Sequence, residues 1–502
     1  MDDLTAWGLP TTTARHRERV AERIVEEAWQ CVRGPVIALV AAFLGESPSP
    51  SVVLRFEQAL VGLVRELGRL LMQGVLNALE PERSEALPRD LWFECGGYRR
   101  RAERTRNAHV ATLFGTIALW RRGYRSWERT DKSIFPLEML LGLTAGVTPG
   151  LADWLGRRMA AAGASQASVL EALRVEHGVS LGVKRLRQLS EELSRGMSEF
   201  RQVNQVEALL EALKTAGQSR GGRKPVLAVG RDGITLREHR HSLYEVATAA
   251  TVSVYDRSGK RLTTVYLAHP PELGQATMSR MLTGLLTELF RRWSGPLPQL
   301  AYVADSGGNE SNYFDETLRR MPHPRTGDRL DWQRVVDYYH AAERVWTMAG
   351  LLFGKDTREA TGWAVRMLKN LKKVAGPSRV LHSAASHFHR QKFKAGAAKD
   401  FRRAYRYLQR RTRYMRYEEY ARRHIPLGSG VTEAACKTIF SQRLKLSGMR
   451  WSREGAAAIL NLRVTLLSGT WQPTFNAYLN AKQNNQLRPY GLKPQIPMQI
   501  AA

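Results

Sequence analysis

The sequence predicts an α/β core interrupted by an all-helical block and preceded by mainly helical domains. Two observations predict this arrangement. Runs rich in β-branched and aromatic residues concentrate between 226 and 303, whereas helical spacing of apolar residues dominates 12–80, 150–216 and 331–424. A second apolar helical stretch at 456–467 follows the basic block and returns the chain to a core.

Taken in order, residues 1–90 are expected as a helical region. Val52, Val53, Phe56, Leu60, Leu63, Val64, Leu67, Leu70 and Leu71 recur there at helical spacing. Residues 91–148 read as a small basic β-hairpin region, with strands at 112–120 and 123–127 and Arg121, Arg122 and Arg125 around the turn. Residues 149–216 read as helical. A helix at 165–176, a Gly178 break and a second helix from Ser180 match a helix-turn-helix, which would present Lys184, Arg185 and Arg187 to DNA. A plain helical hairpin fits the same pattern.

Gly217–Lys224 is a linker by composition. The first part of the core, 225–345, then opens with an apolar strand at 226–229 that runs into an Asp232-Gly233 turn. Strands at 244–255 and 261–269 flank a turn at 256–260. A helix at 275–293, a strand at 299–303 and a helix at 309–321 follow. A meander of strands, then helix, strand and helix, is the order of an RNase H-like core. A basic helical insertion, 346–424, would interrupt it. Core completion at 425–470 and a polar tail at 471–502 close the chain.

The 502 residues carry 76 Lys and Arg against 47 Asp and Glu, a formal charge of +29. Such an excess self-repels unless a polyanion is near. Nucleic acid is the partner this charge implies, and an anionic membrane surface is the alternative. With 43% hydrophobic residues the chain is not disordered by composition. Three widely spaced cysteines, Cys31, Cys95 and Cys436, suggest neither a disulfide framework nor a complete zinc cluster. Met1-Asp2-Asp3 lacks the basic start of a signal peptide, and the apolar run 35–44 is short for a membrane span. A cytoplasmic, nucleoid-associated protein without a membrane partner is therefore expected.

Within the basic block, Arg402, Arg406 and Arg410 alternate with Phe401, Tyr405, Tyr407 and Tyr414. Arginines for phosphates and aromatic faces for bases suit DNA strands, while an amphipathic helix with core aromatics is the plain alternative. Phosphodiester chemistry draws on paired divalent ions, and hard ions such as Mg²⁺ or Mn²⁺ want carboxylates. Asp232, Asp305 and Glu433 occupy the positions from which an RNase H-like core would supply them. Asp305 could equally cap a helix and Glu433 could answer a helix dipole. Glu310, Asp256, Asp315 and Glu343 are rival acids. Asp337 and His340 share a helical face, where His340 could carry a proton. Lys437, Arg443 and Lys445 could face the transferring phosphate or DNA.

Gly230-Arg231-Asp232-Gly233, Val303-Ala304-Asp305-Ser306-Gly307, the run from Val335 to Glu343, and the run from Gly428 to Lys437 closely resemble the motifs of ISKra-type insertion-sequence transposases. So do Gln442-Arg443-Leu444-Lys445 and the block Gly448–Ser452. These belong to the DDE group and are similar to Mutator-like transposases. The resemblance spans roughly 90–470. It implies a metal-binding triad of Asp232, Asp305 and Glu433, two Mg²⁺ or Mn²⁺ ions, and cleavage and strand transfer at element ends by a homodimer or higher assembly on DNA. Many relatives carry paired cysteines near Cys95; only one stands here, so a structural zinc is not implied. An RNase H-like nuclease without strand transfer, or a DNA-binding descendant without catalysis, are the other functions compatible with the sequence.

Overall fold

The computed structural model describes residues 12–94, 96–128, 133–237, 244–305, 307–484 and 487–489. Cys95 and Ser306 fall outside that set. The chain is mixed α/β and divides into two units, the first made of Met1–Met159, Ala164–Met197 and Phe475–Ala502, the second of Ala160–Gly163 and Ser198–Thr474.

The first unit opens with two long helices, α1 (Ala14–Gly45) and α2 (Pro50–Ala78). Thr13 and Ser49 accept the first free backbone N–H groups, and Pro50 sits where no amide hydrogen is needed. Although its longest apolar run is short, α1 as a whole is long and apolar enough to cross a membrane by length and composition. An antiparallel sheet follows, in the order β10-β1-β2-β3-β4. Its strands are β1 (Asp90–Phe93), β2 (Gly96–Thr112), β3 (Gly115–Ser126), β4 (Ser133–Ile134) and β10 (Leu487–Pro489).

Two sequence expectations change here. The hairpin turn lies at Leu113–Phe114, not at Arg121–Arg122. Thr112 Oγ1 donates to Gly115 O, and Gly115 takes a positive φ of 124° that favours glycine. The arginines assigned to a turn lie mid-strand, with Arg104 opposite Arg122 and Arg99 opposite Arg125. The polar tail is also structured in part: Trp471 is buried, and Leu487–Pro489 pairs with β1.

Helices α3 (Pro136–Leu140), α4 (Pro149–Ala160) and α5 (Gln166–His177) lead to α6 (Val183–Gln218). Ser165 caps α5 and Gly178 ends it in the left-handed region. The second helix of the expected helix-turn-helix is thus 36 residues long. It crosses the boundary between the units at 197/198, well before the Gly217–Lys224 linker.

The second unit is built on a five-stranded sheet in the order β7-β6-β5-β8-β9. Its strands are β5 (Val226–Arg237), β6 (Tyr244–Tyr255), β7 (Arg261–His269), β8 (Gln299–Ala304) and β9 (Trp332–Val336). The first three strands are antiparallel neighbours, while β8 and β9 run parallel to β5. The fifth strand lies where the sequence reads as helix, because Trp332-Gln333-Arg334-Val335-Val336 is short and interrupted by polar residues and carries no decisive period. β5 is also longer than expected: Asp232 pairs opposite Ala249 within the ladder instead of sitting in a turn.

Both faces of this sheet are covered, which is why its strands read as apolar runs. Leu227 and Val229 join α6 residues Val206, Leu209 and Leu213 and the apolar stripe of α7 (Ala276–Arg292). Val226 and Ala228 face the other way, onto the helical block. That block comprises α9 (Tyr338–Phe353), α10 (Arg358–Leu371), α11 (Gly376–His389), α12 (Ala395–Arg411) and α13 (Tyr417–Arg422), with α8 (Gly308–Asn312) preceding β9. Tyr417 and Tyr420 donate to the carbonyls of Val336 and Arg334, satisfying part of the free edge of β9. After α13 come α14 (Gly430–Cys436), α15 (Gln442–Leu444), α16 (Arg453–Leu467) and α17 (Trp471–Asn484).

Candidate active site

The parallel register places the candidate acids. β5 and β8 pair Val229 with Tyr302, and Asp232 and Asp305 each lie three positions further on. β8 and β9 pair Ala304 with Val336, so Asp337 stands next in line after Asp305. The three aspartates are therefore level across three adjacent strands, Asp305 and Asp337 just past the carboxyl-terminal ends of β8 and β9 and Asp232 at mid-length of the longer β5. In open α/β sheets, ligands bind outside those ends.

Glu433 arrives on α14, which packs on β5 and β6. Thr432 Oγ1 lies 2.7 Å from Thr251 Oγ1 on β6. A Cβ at Gly230 would stand 1.9 Å from Thr432 Oγ1, so this close approach requires glycine at that position of β5. Cys436, one turn beyond Glu433, is buried against Asp232. Burial, followed by the charge of and hydrogen bond to Asp232, holds its thiol protonated.

Each acid has a hydrogen-bond donor beside it. Asp232 Oδ1 accepts from Gly233 N at 2.7 Å. Asp305 Oδ1 accepts from the Tyr407 hydroxyl at 3.1 Å, which brings α12 of the helical block onto the second aspartate. Glu433 Oε1 accepts from Ser429 Oγ at 2.9 Å and lies 3.5 Å from His340 Nε2. Among the described residues, no lysine or arginine pairs within 4.0 Å with Asp232, Asp305, Glu310 or Glu433. On a chain of charge +29 these carboxylates form an isolated acidic pocket.

Asp337 is fully buried. Its Oδ1 accepts from the backbone N–H groups of Tyr339 and His340 and so caps α9, while Oδ2 accepts from Ser429 Oγ at 2.6 Å and from Ser429 N. The Asp337–Ser429–Glu433 chain thus fixes the third acid to the end of β9. His340 sits between Glu433 and Glu343, at 3.5 and 3.3 Å. Burial opposes its positive charge, but Asp305, the Glu343 hydrogen bond and Asp337 together raise its pKa above the ordinary imidazole value. Glu310, a rival acid in the sequence, belongs to the pocket. Burial and the charges of Asp232 and Asp305 raise its pKa, outweighing Arg231.

Among the described residues, no three His, Cys, Asp or Glu side chains are drawn together closely enough to hold a metal ion. Carboxylate oxygens such as those of Asp232, Asp305 and Glu433 are the donors a hard divalent cation prefers. The Tyr407 hydroxyl donates to one oxygen of Asp305, and Cys436 is held against Asp232.

Two residues assigned to chemistry or DNA lie elsewhere. Arg443 is fully buried, with its guanidinium 5.0 Å from the Trp451 ring centre; burial and the neighbouring Arg463 push its pKa down to about 10. A buried cation of this kind is not open to a phosphate. Arg185 donates to the carbonyls of Ala145, His109 and Gly146, tying α6 to the preceding loop. Lys184, Arg187, Arg402, Arg406, Arg410, Lys437 and Lys445 are exposed, and Arg187 donates to Gln166. Tyr407, Ser429 and Cys436 are the site residues the sequence reading missed as such. Ser429 and Cys436 lie four before and three after Glu433, a helical spacing that flags them; no local signal marks Tyr407.

No protein-family profile matches this chain. No curated protein matches it either.

Proposed function

We propose that this protein is a metal-dependent DNA transposase of the DDE group, with its acids displayed on an RNase H-like core. The observation that carries this reading is the level register of Asp232 and Asp305 on adjacent parallel strands, joined by Glu433 on a helix docked over Gly230. Acids that have, among the described residues, no lysine or arginine partner, on a strongly basic chain, suit a DNA-cleaving centre.

Asp232, Asp305 and Glu433 would hold two Mg²⁺ or Mn²⁺ ions, which when bound activate the attacking oxygen and stabilise the leaving oxygen. Glu310 adds a fourth carboxylate at the rim. His340, whose pKa its acidic neighbours raise, stands where it can donate to a phosphate oxygen or pass a proton through Glu433. Asp337 keeps α9 and the 428–430 loop in register and stays out of the chemistry. The exposed arginines of α12 would hold DNA beside Tyr407. The assembly would act as a dimer or larger complex on element ends, in the cytoplasm beside the nucleoid.

The deciding experiment is Asp305→Asn in the full chain, assayed for end cleavage and strand transfer in Mg²⁺ and Mn²⁺. Loss of both activities by a factor of about 10² or more, with DNA binding retained, is expected. Unchanged activity removes the metal assignment. Cleavage without joining in the unaltered protein identifies a simple nuclease. The lack of a preassembled metal group favours one further reading, a DNA-binding protein without catalysis; it requires that no metal support cleavage by the unaltered chain.

A further inference from the structure

The opposite end of the core sheet carries a second surface. At the amino-terminal ends of β5 and β8 lies a cavity of about 580 Å³ lined by Arg223, Lys224, Arg422 and Arg423, with Asp331 its one acid. Beside it, against β9, a cavity of about 200 Å³ is lined by Arg319, Arg329, Arg413 and Arg416 around Tyr414. The two meet along the strand: Gln333 of the second cavity donates to Asp331 of the first and accepts from Arg416.

Carboxylates neutralise only part of this charge. Arg416 and Arg423 share Glu419, each at 3.0 Å, and Arg422 lies 4.0 Å from Glu418. Among the described residues, Arg223, Lys224, Arg319, Arg329 and Arg413 have no carboxylate within 4.0 Å. The Tyr414 ring is flanked by Arg334 and Arg413, at 4.7 and 4.5 Å. From Val226 to Asp232 the strand advances about 20 Å, so these cavities stand well away from the acidic pocket.

We propose that these joined cavities form a DNA-backbone site that grips phosphates away from the reacting bond. One phosphate would satisfy one cavity, whereas a row of phosphates satisfies both, and an arginine-flanked aromatic face suits nucleic acid. The proposal rests on the reading of the chain as a DNA-acting protein and is independent of its cleavage chemistry.

The test is the Arg223→Gln/Lys224→Gln double variant of the full chain. Its binding to a fluorescent DNA duplex is followed across salt concentrations in EDTA, with a thermal melt to confirm folding. Loss of two phosphate contacts lowers the magnitude of the log K against log salt slope by about two. An Arg319→Gln/Arg329→Gln variant should give a similar reduction. An unchanged slope in both folded variants overturns the proposal. So does a result in which the variants lose only competition by a nucleoside triphosphate, which would mark a free-nucleotide site. If the slope falls while no metal supports cleavage, this site stands and the transposase reading fails. If cleavage proceeds and the slope holds, the reverse follows.

Discussion

The two ends of the core sheet are made by the same strands and have opposite chemistry. Toward the carboxyl-terminal ends of β8 and β9, Asp305 and Asp337 stand level with Asp232 on the longer β5, and Glu310 feels the charges of Asp232 and Asp305. At the amino-terminal ends, Arg223, Lys224, Arg422 and Arg423 line a cavity with one acid. The strands between them are covered on both faces by apolar residues, so neither charge set is diluted by a solvated sheet face. The difference teaches that charge on this chain is sorted by position along the strand. The formal excess of +29 hides a local inversion at one rim.

The acidic end can be broken most strongly through its support. Ser429→Ala removes the hydroxyl that joins Asp337 to Glu433. Cleavage should fall by about tenfold to a hundredfold, as when an orienting partner of a metal ligand is lost, with duplex binding unchanged. A fall in binding instead would show that the two ends do not act separately.

A smaller effect sharpens the link to the helical block. Tyr407→Phe removes the hydroxyl that donates to Asp305 Oδ1 and that, on the proposed reading, would compete with an ion for it. The divalent-ion concentration for half-maximal cleavage should drop by about fivefold, the equivalent of the roughly 1 kcal/mol net worth of one hydrogen bond. A rise would make Tyr407 a residue that positions Asp305 and does not compete for it.

The smallest effect is on stability. Burial and the two aspartates raise the pKa of Glu310, so the folded state binds this proton more tightly than the unfolded chain. Its contribution is therefore lost as pH rises from about the ordinary value of 4.5 through the raised folded value. Glu310→Gln should melt higher than the unaltered protein at pH 8, and the gain should vanish below pH 4.5. Equal melting at both pH values would place Glu310 outside the acidic pocket.

Much of the core was legible in the sequence because its signals are local. The β6 and β7 strands and their turn lie where β-branched runs and a turn cluster predict them. The level placement of Asp232 and Asp305 follows once both are put near the ends of parallel strands. Glu433 was legible only as an acid in a first helical turn; the docking of its helix against β5 depends on Gly230 admitting α14, a tertiary fact. β9 was missed because its five residues, with Gln333 and Arg334 breaking the apolar pattern, suit strand and helix alike. Arg121, Arg122 and Arg125 were read as turn because charge argues against a strand, yet they stand opposite Thr105, Arg104 and Arg99 in a ladder. Arg443 was misjudged because burial of an arginine among Trp451 and Arg463 leaves no mark in sequence spacing.

The unbroken run of α6 from Val183 to Gln218 decides how the protein can be taken apart. A fragment begun at the glycine-rich stretch after 216 would leave Val206, Leu209 and Leu213 behind and strip one layer from the strands they cover. Only a cut near Ser198 keeps those side chains with the fragment that carries the acids. Dissection by limited proteolysis at the apparent linker would thus yield an aggregating product, and its inactivity would say nothing about chemistry.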